Sequence, residues 1–178
     1  MEFHIPYDRL ESYGRGPEYL SATLRQFPKR MWLFQPENSG GWSIHRTILH
    51  LADREAVAYI GCRCYISEKR SLDLQFDYSR WSAALGYCHQ SAQEALQIIR
   101  RLRKSTYQLL SALHETVRTR ADLAGGFELA EWVEQNERYF VHQIVQMKHT
   151  HEIWRATHPG RRSKLAVRAH RCDTKTPA

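Results

Sequence analysis

No run of apolar residues in this 178-residue chain approaches the roughly 20 needed to cross a bilayer, so a membrane-spanning protein is not expected. The opening residues, Met1-Glu2-Phe3-His4-Ile5-Pro6-Tyr7-Asp8, lack both the basic start and the continuous apolar stretch of a secretory leader. Cysteine is sparse and unframed: Cys62, Cys64, Cys88 and Cys172 contain no Cys-x-x-Cys pair. Two positions apart on a helix, Cys62 and Cys64 point to different faces, which speaks against a shared metal or a disulfide between them. A reducing, cytoplasmic location is the simpler expectation. Also missing are a strand meander, a βαβ alternation, an internal repeat, a phosphate-cradling glycine loop and a nucleophile elbow.

Charge of both signs is present, with a net +7, and its position matters more than its size. After Gly160 stand Arg161, Arg162, Lys164, Arg168, Arg171 and Lys175 against the single acid Asp173, which leaves residues 1–160 nearly balanced. The expected organisation is one folded domain over residues 1–160 and a basic, disordered tail over 161–178. Nucleic acid is not the expected partner, because the basicity belongs to the tail and not to the body.

Helical periodicity dominates that body. Pro17 after Gly14 and Gly16 predicts a helix start, with Leu20, Leu24 and Phe27 on one face, ending near Pro28 or continuing brokenly to Phe34. Residues 35–41 read as a loop. Ser43 is a good N-cap for a second helix whose Ile44, Ile48, Leu51, Glu55, Tyr59, Cys62 and Ile66 fall at steps of three or four. The less regular stretch 67–88 is long for a connection and is expected to hold a short helix. A wide apolar stripe from Ala92 to Leu113 marks the clearest bundle helix. Another runs from about Phe127 to Ala156, closed by His158-Pro159-Gly160. Four long helices call for an all-α four-helix bundle.

Of ten histidines, His50 has the most informative context. The run Trp42-Ser43-Ile44-His45-Arg46-Thr47-Ile48-Leu49-His50-Leu51-Ala52-Asp53-Arg54-Glu55 resembles the signature of the DinB-like superfamily, in which a Trp-Ser opens a helix and the histidine of a His-Leu-Ala-Asp-x-Glu run ligates metal. The segments Phe27-Pro28, Gln35-Pro36, Trp81 to Leu110 and Phe127 to Met147 are similar in order and spacing, so the resemblance covers residues 17–156. It implies a DinB-like bundle with an additional short helix between the second and third long helices. It also implies a homodimer and a divalent zinc, nickel or iron held by three histidines, one on the second helix and two, four residues apart, on the last.

His50 and His142 match two of those ligands, but Arg138 stands where the other is expected. A guanidinium cannot ligate a metal and is repelled by a dication. Three arrangements stay open: Arg138 turns outward and His50, His142 and a neighbour such as Glu137, Tyr139 or His149 hold a weak metal; Arg138 takes the ion's place, paired with Glu55 or Asp53; or the two histidines are core residues of a vestigial site. Two function classes follow. One is a metal-dependent hydrolase or low-molecular-weight-thiol transferase, in which the ion activates water or thiol. The other is a non-catalytic or structural bundle that has lost its metal and binds a small anion through Arg138.

Overall fold

A computed structural model describes residues 7–36, 41–68, 77–117 and 126–158. The basic tail 161–178 and most of the loop expected at 35–41 lie outside these residues. Four long helices and one short one are present: α1 (Tyr7–Leu24), α2 (Ile44–Glu68), α3 (Tyr78–Ala84), α4 (Ala92–Val117) and α5 (Gly126–Thr157). Short 3₁₀ turns at Lys29–Met31 and Tyr87–His89 close the ends of α1 and α3. The expected four-helix bundle with a short helix between its second and third long members is what forms.

Ser43 caps α2 as its sequence predicts, its Oγ accepting from the Arg46 amide at 3.2 Å. Ser91 does the same for α4, accepting from the Glu94 amide at 3.3 Å. The start of α1 differs from expectation by ten residues, because Pro17 lies inside the helix and not in its first turn. Its ring removes one backbone hydrogen bond, and the flanking glycines do not break the helix. They are there for proximity. A Cβ on Gly14 would come within 2.8 Å of the Tyr107 ring, and one on Gly16 within 2.1 Å of an Arg103 guanidinium nitrogen.

The helices pack as a square in which α4 and α5 each touch both α1 and α2. Long helices consecutive in sequence, α1 with α2 and α4 with α5, therefore stand across diagonals. Two apolar clusters fill the interior. One gathers Leu20, Phe27, Met31, Ile44, Ile48, Ile99, Phe140 and Ile144, and the other Leu10, Tyr13, Cys62, Leu110, Leu129 and Val133.

Between the clusters lies a polar layer to which every long helix contributes. Arg103 of α4, with no exposed surface, pairs with Glu55 of α2 and Glu137 of α5, each at 3.3 Å. Its guanidinium carbon sits 3.8 Å from the Phe140 ring centre and 4.3 Å from that of Tyr13. Gly16 of α1 supplies the space. Burial pushes the Glu55 carboxyl upward, and Arg103 opposes that shift. Burial also pushes the Cys62 thiol up to about 12, leaving it unreactive. Cys62 and Cys64 are free thiols. Among the described residues no helix is long and apolar enough to cross a membrane.

Candidate functional site

His50 sits on the face of α2 turned toward α5 and is 2% exposed. Its Nε2 shares a hydrogen bond with the Tyr139 hydroxyl, and the two ring centres are 5.8 Å apart. Trp42, just before α2, presents its ring edge-on to His50 at 5.0 Å. The Thr150 hydroxyl of α5 donates to the Trp42 carbonyl at 3.5 Å, tying that loop to α5.

One turn before and one turn after His50, at the spacing that stacks side chains on one helical face, stand Arg46 and Arg54. Each lies over an aromatic ring of the same corner: Arg46 is 4.2 Å from the Trp42 ring centre and Arg54 is 3.9 Å from that of Tyr139. Such placement over a ring face is attractive and holds a flexible cation in place. The Arg46 Nε is buried without a hydrogen-bond partner among the described residues. Burial first, then Arg54 and Arg46, lower the His50 pKa to about 4, so the imidazole is neutral at physiological pH.

The other residues that the sequence singled out lie elsewhere. His142 is exposed on α5 with Gln146 as its neighbour at 3.5 Å, and is not brought to the His50 corner. Arg138 does turn outward, its side chain 75% exposed, and it pairs with Glu134 at 2.7 Å. It therefore does not take an ion's place beside His50. Glu55 faces the opposite side of α2 from His50 and belongs to Arg103, not to Arg138. Asp53 accepts from the Tyr87 hydroxyl. His149 pairs with Glu152 at 3.7 Å. A helix turns by about 100° per residue, so a register displaced by one position moves 138 and 142 off the face that 139 and 143 occupy. The α5 residue that meets His50 is Tyr139.

No protein-family model matches the chain, and no curated protein matches it in sequence. Among solved structures, YfiT from Bacillus subtilis matches with a TM-score of 0.63 over 84% of this chain and 86% of that one, at 18% identity. The chain shares the four-helix-bundle fold of that structure. YfiT is described as a probable metal-dependent hydrolase with an unusual four-helix bundle topology. In the present bundle the diagonal arrangement of consecutive helices sets α5, and not α1, beside His50.

The metal of DinB-like relatives can be tested against the donors at this corner. The resemblance implies three imidazoles; here one imidazole faces a phenol, with two guanidiniums on the same helical stripe. A neutral phenol oxygen is a poor partner for zinc, nickel or iron(II) beside an imidazole ligand, and the two cations repel a dication. Among the described residues no group of three or more histidines, cysteines or acids is placed to hold a metal ion. The residues present do not fit the implied metal. Arg46 and Arg54 were missed in the sequence, although Arg-x-x-x-His-x-x-x-Arg at helical spacing is a readable signal.

Proposed function

We propose that this DinB-like bundle binds a small anionic molecule, without a metal, at the corner where Arg46 and Arg54 flank His50 between α2 and α5. The observation that carries the reading is the pair of guanidiniums, each set over an aromatic ring, on either side of a buried neutral imidazole. A guanidinium lying over a ring points its N–H donors outward in its own plane, and the Arg46 Nε is buried without a hydrogen-bond partner among the described residues. His50 and the Tyr139 hydroxyl add neutral hydrogen-bonding groups at the floor of the corner.

The competing reading is metal-dependent hydrolysis, or transfer of a thiol activated by the ion. Its support is the likeness in fold to YfiT, and it needs a ligand that Tyr139 is poorly suited to be. Binding of inorganic phosphate and of succinate, measured by calorimetry on protein purified without an affinity tag, tests the proposal. Saturable binding weakened about tenfold by Arg46→Ala or Arg54→Ala, and unchanged by His142→Ala, is expected. Loss on His142→Ala, with the two arginine variants unaffected, would overturn it.

A further inference from the structure

On the opposite side of α5, a groove of about 320 Å³ runs between α1 and α5. Its size falls in the range of small-molecule sites. Val133 and Val141 give it an apolar strip, and its polar lining is arranged in two unlike halves. In one half the Glu134 carboxylate is shared by two guanidiniums, one oxygen facing Arg9 and the other Arg138. Two cations on one acid leave an excess of positive charge, and each guanidinium has five N–H donors of which the carboxylate uses only some. The side chains of Arg9 and Arg138 are 47% and 75% exposed, so those donors are accessible.

In the other half the acid is the excess partner. Glu137 lies at the groove with one oxygen toward Arg103, a guanidinium already shared with Glu55. Its Oε1 accepts from the Ser12 hydroxyl at 2.9 Å and keeps a further lone pair. Glu134 and Glu137 are three residues apart on α5, which sets the two halves roughly 5–6 Å apart along the groove. That separation is comparable to the distance between the ammonium and carboxylate of an extended ω-amino acid such as 4-aminobutanoate, and longer than that of an α-amino acid.

From this juxtaposition we infer that the α1–α5 groove is a second ligand site, selective for small zwitterions of the amino-acid type. The carboxylate is taken by Arg9 and Arg138, the ammonium by Glu137 and Ser12, and the short aliphatic link lies on Val141. A simple anion meets the first half alone and a simple amine the second alone, so each forfeits half of the contacts. This site is independent of the His50 corner, since the two lie on different faces of α5.

The test reads the groove directly, through the methyl resonances of Val133 and Val141 in isotopically labelled full-length protein. Glycine, β-alanine and 4-aminobutanoate are titrated, with acetate and methylammonium as single-charge controls. At least one zwitterion is expected to shift both valines saturably, with an affinity about tenfold above either control. Arg138→Ala and Ser12→Ala, both surface changes that spare the core, are each expected to weaken it severalfold. Arg46→Ala is expected to leave it unchanged, which separates this site from the anion corner. Acetate binding as tightly as the zwitterions, the absence of any saturable shift, or indifference to Arg138→Ala would each overturn the inference.

Discussion

Two polar places interrupt the apolar interior of this bundle, and they are built on opposite plans. In the central layer, Arg103 is closed in by Glu55, Glu137, Tyr13 and Phe140, and no part of it reaches solvent. At the His50 corner the imidazole is buried, but the guanidiniums of Arg46 and Arg54 are half-buried at the edge. The first place satisfies its charges internally. The second gathers two guanidiniums around a neutral ring. Closed networks of the first kind fix helix register, whereas open ones of the second kind are where ligands go.

The sharpest way to separate the two is to remove one member of the closed layer. Arg103→Met leaves the buried Glu55, and Glu137 at the groove's edge, without their shared counter-charge and is expected to cost about 3–5 kcal/mol in chemical denaturation. Adding Glu55→Gln and Glu137→Gln to that variant should recover much of the loss. If the single variant is as stable as the parent, the layer is not the closed network described. Next in size is Gly16→Ala, whose new Cβ meets the Arg103 guanidinium at 2.1 Å. A loss of about 1–3 kcal/mol is expected, against little for Gly61→Ala, where nothing lies within 4 Å of the added methyl.

The corner makes a pH-dependent contribution instead. His50 has a folded pKa of about 4, below its ordinary value of 6.5, so the unfolded chain takes up a proton that the folded one refuses. Stability from this residue is complete above about pH 6.5 and falls as the pH drops toward 4, by about 1–2 kcal/mol once screening is allowed for. Denaturation of the parent and of His50→Gln across that window should show a difference that narrows as pH falls. A constant difference would contradict the neutral, desolvated imidazole. The smallest effects are expected at the residues the sequence made most prominent: Arg138→Ala and His142→Ala should each change stability by no more than about 0.5 kcal/mol, because both side chains are exposed on α5.

That inversion shows what could be read from residues alone. The helices were legible, since Ser43, the α2 stripe and the Ala92-to-Leu113 stripe carry their own caps and periodicity. The start of α1 was not, because Gly14 and Gly16 look like punctuation until Tyr107 and Arg103 come in from α4. Arg103 itself was hidden within an apolar stripe, for a one-dimensional pattern does not show which charges will meet. At the site, His50 was placed at a helix–helix contact by its local run, while the residue of α5 that touches it, Tyr139, lies one position from the expected 138. A histidine at 142 was chemically attractive, but only packing decides which side of a long helix faces α2. Tyr139 entered the sequence reading as one of several neighbours of His142, and the structure makes it the residue that touches His50.

The central claim is that His50 lies in a metal-free, cationic corner. Titrating zinc into protein purified without an affinity tag, while following the His50 ring by nuclear magnetic resonance, tests it most directly. The account predicts no saturable change in the His50 signals at neutral pH and no stoichiometric metal. One equivalent of zinc held tightly by the parent protein, and released by His50→Ala, would contradict it.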